Sequence, residues 1–215
     1  PSARLLLLAA AALTLLLVRE RADDRRRARD PKHSGELTMD RVTRLPNHNA
    51  ILTILDNEWQ NCRLNQFPLT IALIQIDHWE QINRDYGYKG GDRVLAAARQ
   101  RLRKALRRAD NLGRLDDGSF LLVLPGVEQQ QARLIAERCQ ESLQVKPVQP
   151  GRRRVTLTAS LGLCCGAASV QETPEDMLRK AYSALQSARE TGGDRAIVYG
   201  APIEPGLAVN EMSFA

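Results

Sequence analysis

At 215 residues the chain has room for one ordinary domain plus appendages. Its 43% hydrophobic content supports a core, but aromatics are only 4%, so aliphatic side chains must build it. The net charge of +6 falls in separate blocks, Arg19–Arg29, Arg101–Arg108 and Arg152–Arg154. No recognised motif or aromatic platform accompanies them, so nucleic acid is excluded as the expected partner.

The chain opens on an uncharged apolar run, "LLLLAAAALTLLLV", from Leu5 to Val18. A spanning helix needs ~20 residues, so residues 1–18 are expected to form a transmembrane helix truncated at its start. The next stretch, "RERADDRRRARD", carries six arginines, the mark of a cytoplasmic flank. A signal peptide fits less well, because these charges follow the apolar run and no small-residue cleavage site is evident. Residues 19–39, with Pro31 and Gly35, read as a basic juxtamembrane linker.

From Asp40 the pattern becomes globular. Ile51, Leu52, Leu55, Trp59 and Cys62 have helical spacing. Leu69–Ile76 is a continuous apolar run of strand length. Val94, Leu95, Ala98, Leu102, Ala105 and Leu106 line one side of an amphipathic helix. Two short strands follow, Leu112–Leu115 and Ser119–Leu124, around an Asp-Gly hairpin signal. Ala132, Ile135, Ala136, Cys139 and Leu143 mark another helix, and "RVTLTASLGLCCG" the next strand. Thr173 and Pro174 sit at cap and first-turn positions of the last helix, which Gly192 closes, and "RAIVY" is a final strand. Helices alternating with a sheet that contains one hairpin give an α+β fold with a mixed central β-sheet flanked by helices. Residues 201–215 read as a flexible tail. None of Cys62, Cys139, Cys164 and Cys165 has metal or redox spacing, so all are expected to be small apolar fillers.

Five separated segments of 40–200 resemble the GGDEF domain, the diguanylate cyclase family. "DRVTRLPNHNA" resembles its entry motif D-x-L-T-x-L-x-N-R, with Val42 and His48 as departures. "IQIDHWEQINRDYGYKGGDRVL" resembles D-x-D-x-F-K-x-x-N-D-x-x-G-H-x-x-G-D-x-x-L. "RLDDGSFLLVLPG" falls where R-x-G-G-D/E-E-F belongs. "LTASLGL" and "ALQSARETGGDR" resemble the T-x-S-x-G strand and A-L-Y-x-A-K-x-x-G-R-N.

The resemblance implies condensation of two GTP into cyclic di-GMP, helped by metal ions that bridge the phosphates. Magnesium wants carboxylate oxygens, and here the carboxylates are missing. The family's strand-end metal aspartate falls on Gln75, and the signature acids fall on Gly118 and Ser119. The signature glycines fall on Asp116 and Asp117, which read as turn formers that point in different directions rather than as a relocated metal pair. Of two phosphate-holding positions, Arg189 stands at the first and Gly193 at the second. Asn83 and Asp92 fall on guanine-reading positions, with a turn cap and a helix start as their structural alternatives.

One family motif is intact. Arg107-Arg108-Ala109-Asp110 stands where the inhibitory R-x-x-D site lies, and Arg138 falls on the second arginine of that site. An arginine fork suits guanine O6/N7 or phosphate, and aspartate can accept from guanine N1 and N2. The alternative is a plain surface ion pair between Arg107 and Asp110. The expectation is therefore a catalytically degenerate, membrane-anchored module that binds cyclic di-GMP, without metal or cofactor. A residual cyclase using magnesium and GTP, or a nucleotide-independent interaction module, are the rivals. Further expected partners are the membrane and a second copy or a membrane protein. The implied location is the bacterial inner membrane, with the globular domain in the cytoplasm.

Overall fold

The computed structural model describes residues 38–167 and 172–201. The expected membrane helix, nearly all of the linker and all but the first residue of the tail lie outside the described residues. Among the described residues no helix is long and apolar enough to cross a membrane.

The domain opens on a closed turn. Asp40 Oδ1 accepts from the Thr43 N–H at 2.7 Å and from the Thr43 hydroxyl at 2.6 Å, and a bridge pairs Met39 with Pro46. This is the local reason for an aspartate and a threonine three apart. Helix α1, His48–Asn65, then starts on Asn47, whose side chain accepts from the Ala50 N–H. It buries Ile51, Leu55 and Cys62.

Strand β1, Pro68–Ile76, is the centre of a five-stranded sheet. Its unbroken apolar run is explained by cover on both faces. Leu69, Ile71 and Leu73 pack with Ile51 and Leu55 of α1 and with Met177, Ala181 and Leu185. Ala72, Ile74 and Ile76 join the opposite core with Leu102, Ile135 and Leu143. Helix α2, Trp79–Ala105, is two helical segments meeting at Gly87, whose φ of 64 breaks the helix. The second segment folds back tightly: a Cβ on Gly91 would stand 2.3 Å from Asn83 Oδ1.

Strands β2, Asn111–Arg114, and β3, Ser119–Pro125, form the hairpin. Helix α3, Gln129–Gln144, strand β4, Ala159–Ala167, helix α4, Pro174–Glu190, and strand β5, Ala196–Val198, complete the chain order. The sheet order is β2-β3-β1-β4-β5. All pairings are antiparallel except β4 with β5, whose parallel pairing requires the crossover that α4 supplies. The sheet is therefore mixed, as the pattern of elements implies.

The strand expected from Arg154 begins only at Ala159. Residues before it leave the sheet, and Val155 instead pairs with Val148. Thr173 caps α4 in a reciprocal box with Asp176, and Pro174 occupies the first turn. Asp176 is held below its ordinary range, first by the Thr173 backbone N–H and then by its hydroxyl. The four cysteines are free, and Cys164 and Cys165 face opposite cores.

Candidate functional site

The register of the sheet brings the degenerate signature together. Gln75 at the end of β1 pairs directly with Ser119 at the start of β3. Their side chains bond to each other: the Ser119 hydroxyl donates to Gln75 Oε1. Gln75 Nε2 in turn donates to the Asp117 carbonyl at 3.0 Å. The turn is closed by the Ser119 N–H on the Asp116 carbonyl at 2.9 Å. Gly118 occupies its third position with φ 72, where a glycine is preferred. There is also no space for a side chain there. A Cβ would stand 2.6 Å from Trp79 Cγ and 2.8 Å from Gln75 Nε2. Arg114, unremarked in the sequence, holds the hairpin from inside. It is 7% exposed, and its Nη1 donates to the Asp116 carbonyl and to the Ser119 carbonyl. Burial pushes its guanidinium below the usual arginine range, against the pull of Asp40, Asp117 and Asp116.

The two turn aspartates do diverge. Asp116 lies 3.8 Å from His48 Nδ1 at the start of α1, while Asp117 faces a cleft of about 1140 Å³. Gln75, Asn83 and Arg189 line the same cleft. Asp92 is exposed, one residue past the Gly91 that touches Asn83. Asn83 Oδ1 and Trp79 Nε1 are buried without a hydrogen-bond partner. Three acids of the cleft carry no weight in the sequence reading: Asp77, Glu80 and Asp194. Asp77 accepts from the Ser160 hydroxyl at 2.7 Å and from the Asp194 N–H at 3.1 Å. Burial raises the Asp194 carboxyl, and the nearby Asp77 charge raises it further. A Cβ on Gly193, where the second phosphate-holding cation is missing, would meet Asp77 Oδ1 at 3.4 Å. Asp77 stands at the second aspartate of the D-x-D-x-F-K resemblance, a signal the sequence reading passed over, whereas its meeting with Asp194 depends on the fold.

Among the described residues no cluster of three His, Cys, Asp or Glu side chains could hold a metal. The bonded set at the strand ends also does not fit a divalent cation. Gln75 and Ser119 are neutral and bonded to each other, and Gly118 offers no side chain, so no anionic oxygen stands there.

The R-x-x-D residues sit at the far end of α2. Arg107 and Asp110 make no ion pair among the described residues. The Asp110 carboxylate instead accepts the Arg107 backbone N–H at 2.8 Å, and the Asp110 N–H closes the turn on the Arg107 carbonyl at 3.2 Å. The surface ion pair is thereby corrected: the carboxylate closes the turn just past the helix on the Arg107 backbone. Asp110 is 3% exposed, whereas Arg107 and Arg138 are exposed. Arg138 Nε donates to the Ala105 carbonyl at 2.6 Å, which places this guanidinium at the same helix end. Cys139 lies beneath; burial pushes its thiol up to about 12, Arg138 pulls it down and Asp110 raises it. The structure thus gathers Arg107, Asp110 and Arg138, and separately Gln75, Asn83, Asp117, Ser119 and Arg189.

Comparison with known proteins identifies the family and the fold. The family profile "Diguanylate cyclase, GGDEF domain" matches residues 37–195. The diguanylate cyclase DgcP of Pseudomonas aeruginosa is 31% identical over 156 residues, 73% of this chain and 23% of that protein. Probable diguanylate cyclase DgcC of Escherichia coli is 30% identical, over 75% of this chain and 43% of its own length. The chain therefore spans less than half of these curated relatives. Among solved structures, diguanylate cyclase SiaD with its activator SiaC, from P. aeruginosa, superposes with TM-score 0.71 at 28% identity, covering 87% of this chain and 73% of SiaD. The GGDEF domain of DgcB from Caulobacter crescentus, in complex with c-di-GMP, also gives 0.71, at 18% identity over 76% and 96%.

Proposed function

The chain belongs to the GGDEF domain family, and from that premise we propose that it is a catalytically degenerate member that binds cyclic di-GMP through Arg107, Asp110 and Arg138. The observation that carries this reading is the contrast in bonding. The Gln75–Ser119 pair is neutral and bonded within the hairpin, to itself and to the Asp117 carbonyl. Arg107 and Arg138 are exposed cations at one helix end, where a guanine edge or a phosphate matches them. DgcB, a structural relative, was solved with c-di-GMP.

Loss of synthesis follows from the same chemistry. A metal clamp contributes several kcal/mol to phosphoryl transfer, and each ~1.36 kcal/mol is tenfold in rate. Asp117 and Glu80 also put negative charge on the cleft that a triphosphate would enter. A second reading, residual cyclase activity, draws on Asn83 and Arg189, which still line that cleft. The anchor belongs to the same proposal: the apolar run Leu5–Val18 followed by arginines holds the domain at the cytoplasmic face of a bacterial inner membrane.

The test is calorimetry with cyclic di-GMP on the wild type and on Arg107→Ala, beside incubation with GTP and magnesium followed by chromatography. Binding that Arg107→Ala abolishes, without product, is expected. Turnover of GTP would replace this reading by the cyclase. Silence toward both ligands would leave an interaction module.

A further inference from the structure

We infer that the arginine loop before β4, Arg152–Arg154, docks the domain onto an anionic lipid bilayer. This rests on the membrane anchor proposed above and adds a second contact, one made by the folded domain. The loop is built rather than loose. Val148 and Val155 exchange backbone hydrogen bonds at 2.7 and 2.8 Å across its base. Val148 and Pro150 are buried, and Arg93 Nη1 donates to the Pro150 carbonyl at 3.0 Å. Gly151 lies against Tyr86, where a Cβ would stand 3.0 Å from the ring. Arg152, Arg153 and Arg154 are all exposed, and among the described residues none of them pairs with a carboxylate. Arg93 adds a cation beside them and the exposed Asp92 next to it cancels one, so the local excess of charge is the triplet.

The register puts this loop at the end of the sheet where the chain enters. Ala159, at the start of β4, pairs with Ile76 at the end of β1, and the Asp77 N–H donates to the Thr158 carbonyl at 3.0 Å. Gln75 pairs with Ser119, so Arg114 at the close of β2 lies at this end too. The Arg114 N–H donates to the Pro46 carbonyl at 2.8 Å, and the Asn47 N–H to the Thr38 carbonyl at 2.9 Å. The entry adds the exposed Arg41 and Arg44. Residues 19–37, which separate the apolar run from Thr38, reach at most about 65 Å, so an anchored domain stays close to the bilayer. Each basic residue within a Debye length of anionic headgroups is worth about fivefold in binding, and guanidinium forks pair with phosphate. A preformed loop also loses little freedom on docking. The tether selects lipid over a free polyanion, because it holds the loop at the bilayer.

Trypsin cuts after arginine, so limited digestion of the full chain in lipid nanodiscs reads docking at the loop itself. Discs of phosphatidylcholine are compared with discs of equal parts phosphatidylcholine and phosphatidylglycerol, and cleavage after Arg152–Arg154 is followed by mass spectrometry. Cleavage after Arg107 and Arg108, exposed before β2 at the opposite end of the sheet, is the internal reference. The expected result is that anionic discs slow the loop cuts about tenfold relative to the reference, and that molar salt removes the effect. Arg153→Gln combined with Arg154→Gln leaves trypsin one site and should bring the protection below about twofold. Equal cleavage in both discs overturns the docking, and so does full protection in the double variant. Protection in neutral discs by added duplex DNA, equal to that by anionic lipid, overturns it in favour of nucleic acid. A chain that does not stay with the discs is a different failure, that of the anchor, and the docking falls with it.

Discussion

The signature hairpin and the turn at the end of α2 treat their polar groups in opposite ways. At the hairpin, side chains bond to one another and to nearby carbonyls: Ser119 to Gln75, Gln75 to Asp117, Arg114 to Asp116 and Ser119. Little is left for a ligand, and a tryptophan occupies the space a side chain at 118 would need. At the α2 turn, one buried carboxylate and one arginine are spent on the backbone, and the guanidiniums of Arg107 and Arg138 face solvent. Both regions derive from nucleotide sites in the family resemblance. On the proposed reading, a site is lost when its groups find partners within the fold, and kept when the fold consumes only what holds the rest in place.

Restoring an acid to the hairpin tests the first half of that contrast most severely. Gly118→Asp puts an L side chain at φ 72 with its Cβ 2.6 Å from Trp79 Cγ. Backbone strain and overpacking together should lower stability by about 3 kcal/mol. Urea unfolding with and without magnesium reads this. A variant as stable as wild type, or one that magnesium stabilises, would show that the hairpin still accommodates a metal site.

A smaller effect comes from opening the clasp instead of crowding it. Gln75→Ala removes two hydrogen bonds, so the expected loss is about 1–2 kcal/mol, with cyclic di-GMP affinity unchanged because the α2 turn makes no use of Gln75. A change in that affinity would mean the two regions are coupled.

The smallest effect lies at the rim of the cleft. The folded-state carboxyl of Asp194 is raised above its ordinary value of 3.8, by burial and then by Asp77. A raised acid holds its proton longer in the folded state, so its adverse contribution is absent at low pH and grows as pH climbs through the folded value. Asp194→Asn should therefore match wild type below about pH 3.8 and exceed it at pH 7. The gain should stay under about 1 kcal/mol, because the carboxyl is only partly desolvated at the cleft rim and solvent still screens it. Thermal melts across that range check the sign; a gain independent of pH would point to some cause other than charge.

Much of the fold was legible in the sequence because it depends on near neighbours. The helical spacing of Ile51, Leu55 and Cys62, the Asp-Gly hairpin signal and the Thr173 cap are local patterns, and each reappears in the structure. The continuous run at Leu69–Ile76 foretold a strand, and the structure covers it on both faces. The start of β4 was misplaced, since "RVTLT" has strand-like residues whose fate is decided by the Val148–Val155 bridge. The family resemblance pointed to both candidate sites, because the change from its carboxylate to an amide at Gln75 is visible in one letter.

What each polar group does was settled only by pairing across distance. Gln75 and Ser119 meet because β1 and β3 share a register. The Trp79 ring excludes a side chain at 118 because α2 begins just beyond β1. Asp110 serves the backbone of Arg107 rather than its guanidinium because the chain turns there and buries the carboxylate. A sequence specifies which donors and acceptors exist; burial and register decide which of them are already satisfied, and that depends on contacts no local pattern encodes.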